Sequence, residues 1–248
     1  MTATLPAWPY PAKVAHRGAG KLAPENTLAA VRIGRAHGYR MIEIDVNLSA
    51  DGVAFLLHDA TLERTTDGSQ RADSRTWREL AQLDAGSWHS QEFAGEPLAT
   101  LRNVARYARA NGMAVNVEIK PTPGREREIG AAVALDAATF WAGADVPPLL
   151  SSFSEAALGA AREVAPALPR AWLCDRGVAD WRDRCAALGC VAFDVDHELV
   201  DAALVAAVHA AGLRLMAWTV NEPARALELA AWGVDSIITD AIDRLPPD

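Results

Sequence analysis

The sequence predicts an α/β fold, a (β/α)8 barrel, on three observations. Short apolar runs alternate with Ala-rich helical patterns eight times within 248 residues, the pattern of a parallel sheet wrapped in helices. Most of the helical patterns stop at a glycine, the residue that most readily takes the left-handed conformation ending a helix. A single interval departs from the rhythm, the polar, turn-rich stretch Val53–Leu98 after the second strand, which reads as an insertion on the βα face of a barrel. A doubly wound open sheet uses the same alternation, but eight well-spaced units favour closure.

The elements follow in order. Val14–His16 is a short strand, followed by Gly18, Gly20 and the turn "APENT", in which Asn26 is read as an N-cap. Helix Thr27–His37 stops at Gly38, and Met41–Asn47 ("MIEIDVN") is the second strand. The insertion 53–98 holds the strand-like "VAFLLH" and a short helix over Thr76–Leu83. It is expected to cap the barrel mouth, on the face where βα loops gather. Helix Leu101–Ala110, stopped by Gly112, leads to strand Ala114–Lys120, and helix Arg125–Trp141, stopped by Gly143, to Pro148–Ser151. Helix Glu155–Ala165 precedes strand Pro169–Leu173; helix Ala179–Ala187, stopped by Gly189, precedes Cys190–Asp194. Helix Leu199–Ala211 with Gly212, strand Leu213–Thr219, helix Pro223–Trp232 with Gly233 and strand Ser236–Thr239 complete the series. Residues 1–248 are read as one domain.

Composition narrows the function. Half the residues are hydrophobic, enough for a full core, and the formal charge is −8. That charge argues against a nucleic-acid surface, which needs clustered cations, and gives no reason to expect an anionic membrane. A small anion can still bind where a site supplies its own cations. Cys174, Cys185 and Cys190 are odd in number and form no C-x-x-C pair, which argues against a disulfide scaffold or structural zinc and for a reducing compartment. The N-terminal "MTATLPAWPYPAK" lacks a basic region followed by an apolar one, and no apolar run reaches the roughly 18 residues of a membrane span. The expectation is a cytoplasmic protein without stable membrane insertion; oligomeric state is not legible.

Side-chain parity locates the chemistry. A strand alternates faces with period two, so Glu43 and Asp45 point together while Ile42, Ile44 and Val46 point to the helices. The same rule puts Glu118 and Lys120 on one face of the next barrel strand. Three carboxylates from adjacent strands resemble the oxygen set of a hard divalent cation, Mg²⁺ or Ca²⁺. The competing reading is an ion-pair network with Lys120 and Arg17, but two cations do not satisfy three buried carboxylates together with Asp59. His16 ends the first strand and His58 ends the "VAFLLH" run, both beside that cluster. Imidazoles there suit general acid and base work. Arg17 offers a permanent planar donor fork suited to phosphate. Glu25 and Asn26 are read as supporting polar groups, with simple helix capping the alternative for Asn26. Trp218 shares a face with Met216 and either lines the mouth or packs in the core. Thr239 and Asp240 are read as ordinary capping residues. His37, His89 and His209 are read as structural, with His197 noted near the end of strand six.

The ordered pieces "HRG", "PENT", "EIDV", "LLHD", "LERTTDG", "LDAGSW", "NVEIKP", "AWTVN" and "GVDSIITD" resemble the glycerophosphodiester phosphodiesterase family, most closely its bacterial cytoplasmic members. They run from residue 16 to 240. The resemblance implies a (β/α)8 barrel with a small insertion after strand two. It implies metal-dependent hydrolysis of small-molecule glycerophosphodiesters to glycerol 3-phosphate and an alcohol. It places catalytic histidines at His16 and His58, ligands of one divalent cation at Glu43, Asp45 and Glu118, phosphate contacts at Arg17 and Lys120, and a pocket residue at Trp218. Glu25, Asn26 and Asp59 stand behind them. Two other functions are weighed: a phospholipase C- or D-type hydrolase acting on lysolipids, and a non-catalytic module that binds glycerol phosphate. The largely polar insertion disfavours the first, and the complete set of histidines and carboxylates disfavours the second.

Overall fold

A computed structural model of the chain describes residues 5, 7–176 and 178–247; the remainder, including residues 1–4 and 6 of the N-terminal reading, lies outside the described residues. Eight parallel strands form the barrel: β1 (Lys13–Ala15), β2 (Met41–Leu48), β4 (Ala114–Ile119), β5 (Leu149–Ser152), β6 (Arg170–Cys174), β7 (Ala192–Asp196), β8 (Arg214–Trp218) and β9 (Ser236–Thr239). β3 (Ala54–Leu56) adds to β2 antiparallel. The order β1-β9-β8-β7-β6-β5-β4-β2 closes because β1 also pairs with β2, Ala15 beside Ile42. The helices are α1 (Leu28–Ala36), α2 (Trp77–Leu80), α3 (Leu101–Ala110), α4 (Glu126–Phe140), α5 (Glu155–Val164), α6 (Trp181–Leu188), α7 (Ala202–Ala210) and α8 (Pro223–Trp232). None is long and apolar enough to cross a membrane.

Each barrel strand sends one residue into an apolar floor: Val14, Met41, Ala114, Leu149, Ala171, Ala192, Met216 and Ile238. Tyr10 joins it from the segment before β1. Two residues further along several strands the inward positions turn polar: Glu43, Asn116, Ser151 and Asp194 are all buried there. The change from apolar floor to polar upper barrel puts the chemistry at the C-terminal ends of the strands. Outward positions pack under the helices in two larger clusters, one of them holding Trp172 stacked on Phe193.

The six glycines expected to stop helices all have positive φ, from 60° at Gly112 to 94° at Gly233. Several boundaries differ from expectation. β1 stops at Ala15, and His16–Gly18 forms a 3-10 turn in which Arg17 is left-handed with φ 51°. Thr27, not Asn26, caps α1, its side chain accepting from the Ala30 N–H. Asn26 is itself left-handed, which turns its amide away from the helix. Cys190 precedes β7, because its N–H bonds back to the Cys185 carbonyl and completes the α6 stop. α7 begins only at Ala202, capped by Asp201, since His197–Leu199 is a 3-10 turn. α2 is one turn with a Thr76–Glu79 capping box and ends at Leu80 rather than Leu83. The three cysteines are buried and free.

The insertion has its own small core of Phe55, Leu57, Leu62, Ala72, Leu80, Ala85 and Leu98. It is tied to the first βα segment, where Glu96 accepts from the Ala29 N–H at 3.0 Å and His89 Nε2 lies 3.1 Å from the Lys21 carbonyl.

Candidate active site

β2 carries Glu43 and Asp45 into the barrel, and register places Glu118 of β4 directly beside Asp45. One oxygen of each carboxylate lies within 4.8 Å of the others, and all three are buried. The positive groups around them are few. Lys120 Nζ is 2.6 Å from Glu118 Oε1 and 3.3 Å from Asp45 Oδ1. Arg17 Nε is 3.4 Å from Asp45 Oδ2, while the Arg17 backbone N–H donates to Glu43 Oε2 at 3.0 Å. Asn26 completes the shell, its Nδ2 donating to Asp45 Oδ2 at 2.7 Å and its Oδ1 accepting from the Asp45 N–H at 3.0 Å. The residue expected as a cap is thus a clamp on a buried carboxylate.

Three carboxylates face two cations, and Glu43 Oε1 is buried with no partner. Burial and the neighbouring Asp45 push the Glu43 and Glu118 carboxyls above their ordinary range. Burial opposes ionisation of Asp45 too, yet Lys120 and Arg17 hold it well below the usual carboxylate range. Like charges packed this closely cannot all ionise unaided. An all-oxygen set with an orphaned oxygen and surplus negative charge fits a hard divalent cation.

The two expected histidines have matching supports. His16 Nδ1 is 2.7 Å from Asp240 Oδ1, and His58 Nδ1 is 2.7 Å from Asp59 Oδ1. An ionised carboxylate only accepts, so Nδ1 carries the proton in each ring and Nε2 is left for chemistry. His16 Nε2 points toward the trio, 3.8 Å from Glu43 Oε2. Burial, aided by Lys120 and Arg17, holds the His58 imidazole below its ordinary value, against the pull of Asp45 and Asp59.

Glu25 also joins the site: Arg17 Nη1 donates to its Oε1 at 2.8 Å. Arg64, from the insertion, bonds both Glu25 and Asp59. Trp218 sits at the end of β8, half-buried and edge-on to the exposed Phe153, with ring centroids 5.5 Å apart. His197 is not brought to the trio by any bond among the described residues; its carbonyl accepts from Arg225. His209 pairs with Asp235 at 2.8 Å, away from the site.

Asp240, expected as an ordinary capping residue, instead holds His16 Nδ1, while the roles of Arg64 and of the buried Asn116–Ser151–Asp194 layer are not read from the sequence. The parity rule applied to β9 finds Asp240, which shares a face with the floor residue Ile238. No local pattern marks Arg64, because its partners lie 5 and 39 residues away.

The chain and its fold are similar to known proteins. The model of the glycerophosphoryl diester phosphodiesterase family matches residues 16–244. A glycerophosphodiester phosphodiesterase of Caldanaerobacter subterraneus subsp. tengcongensis is 33% identical over 236 residues, covering 92% of this chain and 93% of that one. A phosphodiesterase from Oleispira antarctica, solved in complex with the product sn-glycerol-3-phosphate, is 35% identical and superposes with a TM-score of 0.89 over 95% of both chains. The glycerophosphodiester phosphodiesterase of Agrobacterium tumefaciens str. C58 gives 0.80 at 29% identity, over 93% of this chain and 96% of that one. A family match across nearly the whole chain, on a closed barrel whose trio and histidines meet at one end, leaves one assignment: the chain belongs to the glycerophosphoryl diester phosphodiesterase family, a family of phosphoric diester hydrolases.

Proposed function

We propose that this protein hydrolyses glycerophosphodiesters to glycerol 3-phosphate and an alcohol, with His16 and His58 as its acid–base pair. The observation that carries the reading is the pairing of a buried oxygen trio with two imidazoles, each held at Nδ1 by a carboxylate. A relative of the same fold is solved with the product of this reaction.

Glu43, Asp45 and Glu118 would hold the divalent cation, Mg²⁺ or Ca²⁺. When bound it supplies Lewis acidity toward a phosphoryl oxygen. Arg17 and Lys120 beside the trio leave one surplus negative charge, which a bound dication would convert to one positive charge, matched to a phosphodiester monoanion. Arg17 and Lys120, already fixed by the carboxylates they bridge, bind the remaining phosphoryl oxygens and need little reorganisation as charge builds there. One Nε2 accepts the proton of the attacking hydroxyl, and the other returns a proton to the departing alkoxide oxygen. Asp59 and Asp240 stabilise each ring when it is charged. Trp218 and Phe153 give the carbon skeleton an apolar wall, and the insertion 53–98 excludes water from that side. We place the enzyme in the cytoplasm, acting on small diesters rather than intact lipids.

The test is a coupled assay for released glycerol 3-phosphate on several diesters, with EDTA and then Mg²⁺, Ca²⁺ or Mn²⁺ added back. Release abolished by EDTA and restored by a cation is expected. Release that ignores EDTA would remove the cation, and no release from any diester would remove the activity.

A further inference from the structure

Arg64 lies in the insertion and makes four hydrogen bonds to two carboxylates. Its Nε and Nη2 reach Asp59 Oδ2 and Oδ1 at 2.6 and 3.0 Å; its Nη1 and Nη2 reach Glu25 Oε2 and Oε1 at 2.9 and 2.7 Å. Both carboxylates continue inward. Asp59 Oδ1 holds His58 Nδ1 at 2.7 Å, and Glu25 Oε1 holds Arg17 Nη1 at 2.8 Å. An unbroken line of charge-assisted bonds therefore runs from His58 to Arg17, crossing from the insertion to the loop after β1.

Stability gives little reason for this arrangement. The Arg64 side chain is 44% exposed, and ion pairs at that exposure contribute little to folding. Geometry gives a better one. A guanidinium is a rigid planar fork that can grip two carboxylates at once, which a lysine ammonium cannot reproduce. Asp59 sits next to His58 on an irregular loop, where a carboxylate without a second anchor can rotate away from the ring. Glu25 is shared by two arginines, so its position decides where Arg17 lies beside Asp45.

We propose that Arg64 is a positioning residue for phosphodiester hydrolysis. Through Asp59 it holds the His58 ring in the Nδ1–H form with Nε2 free, and through Glu25 it holds Arg17. The inference rests on the roles given above to His58 and Arg17. It makes the insertion a working part of the site, because the latch between insertion and barrel is also the support of an acid–base group.

The experiment compares Arg64→Ala, Arg64→Lys and Asp59→Asn in steady-state assays of glycerol 3-phosphate release, with melting temperatures as the folding control. Arg64→Ala should lower kcat on the order of 10²-fold, the cost of a misplaced reacting group, while KM changes little. Lysine should recover almost none of the loss. Added guanidinium should restore part of the activity of Arg64→Ala and none of Asp59→Asn, since the site of the lost side chain is open to solvent. Placed in the Asp59→Asn background, Arg64→Ala should cost kcat less than it does alone, because the share that passes through the His58 ring is already lost and only the share through Glu25 and Arg17 remains. Wild-type kcat in Arg64→Ala, full recovery with lysine, or losses that simply multiply would overturn the proposal. A readout that needs no turnover separates this failure from failure of the activity itself. Ring ¹⁵N shifts should show one Nδ1–H tautomer of His58 in the wild type and a mixture in Arg64→Ala; the same single tautomer in both would overturn the role of Arg64 even in an inactive protein.

Discussion

His16 Nδ1 and Asp240 Oδ1 meet at 2.7 Å although 224 residues separate them in the chain. The contact exists because the barrel closes: β1 pairs with β9, Ala15 beside Thr239, so the residues that follow these two strands become neighbours. Asp240 is fixed in turn, its N–H donating to the Asn221 side chain at 2.9 Å. Asp240→Asn preserves the shape but replaces an obligate acceptor with a group that can donate, so the His16 ring can shift its proton to Nε2. We expect kcat to fall by about 10²–10⁴ with the melting temperature nearly unchanged. Steady-state kinetics beside a thermal melt checks this, and an unchanged kcat would remove His16 from the acid–base pair.

Glu43 separates metal binding from stability. It is 3% exposed, one of its oxygens has no partner, and burial together with Asp45 and Glu118 holds its carboxyl up. Glu43→Gln keeps the volume and removes a like charge from the cluster. The cation-free protein should therefore melt no lower than the wild type, while affinity for Mg²⁺ or Ca²⁺ falls by more than about 10-fold. Calorimetric titration and melting in EDTA give the two numbers. Equal cation affinity in both proteins would mean that Glu43 is not a ligand.

Period-two alternation made the carboxylates of β2 and β4 legible in the sequence, though the same rule on β5 and β7 was not carried to Ser151 and Asp194. Glu43, Asp45, Glu118 and the floor residues above which they sit follow from counting along single strands, and that property needs no tertiary information. Lys120 also kept its place beside Glu118, although β4 ends one residue earlier at Ile119. What could not be read depends on closure and on loop path. Asp240's contact with His16 needs β9 beside β1, and Arg64 needs the course of the insertion. Asn26 shows a different limit. Asn and Thr are both good caps, and only the left-handed backbone at Asn26, φ 60°, decides that Thr27 caps α1 while the amide clamps Asp45.

Asp194 should contribute to the pH dependence of stability in the cation-free protein, beside Glu43 and Glu118. It is fully buried on β7 and neither carboxylate oxygen has a partner. Burial, then the nearby Glu118, push its carboxyl well above the ordinary range. A carboxyl whose folded-state value is raised contributes stability that is full below the unfolded value, about 3.9, and is lost as pH rises through the folded value. Asp194→Asn is neutral throughout and loses nothing over that range. Melts in EDTA from about pH 4 to pH 8 should show the variant gaining on the wild type as pH rises. A constant difference between the two would mean that Asp194 does not take up a proton on folding.

Lys120 acts on His58 at a distance. After burial, its charge is the largest influence lowering the His58 imidazole. Lys120→Met keeps a long apolar stem and removes that charge, leaving the attraction of Asp45 less opposed. The His58 value should rise toward or above its ordinary 6.5, and NMR titration of the ring Cε1–H in cation-free protein measures it. The limb of kcat/KM that reports His58 should move to higher pH with it, the acid limb where His58 is the base and the alkaline limb where it is the acid. A downward shift would contradict the electrostatic account.

Gly34 connects the packing of α1 to the site. A Cβ built there overlaps the carbonyl oxygen of Gly18, so α1 lies against the very turn that carries His16 and Arg17. Gly18 is also tight from the other side, where its own Cβ would come within 2.9 Å of the Ala30 Cβ. Two effects compete in Gly34→Ala. Helix propensity favours alanine by about 0.8–1.0 kcal/mol, while overpacking a tight contact costs about 1–3 kcal/mol. Overpacking should win, because the atom in the way is backbone rather than the end of a flexible side chain. The helix must move off the turn, and the Arg17 N–H, now 3.0 Å from Glu43 Oε2, moves with it. Lower melting temperature and lower kcat/KM are expected together. Gly159 in α5 is the control, since nothing lies within 4 Å of a Cβ there. The same substitution at Gly159 should stabilise by about 0.5–1 kcal/mol and leave kcat/KM alone. If both variants shift stability in the same direction, the contact between α1 and the Gly18 carbonyl is not what positions the turn.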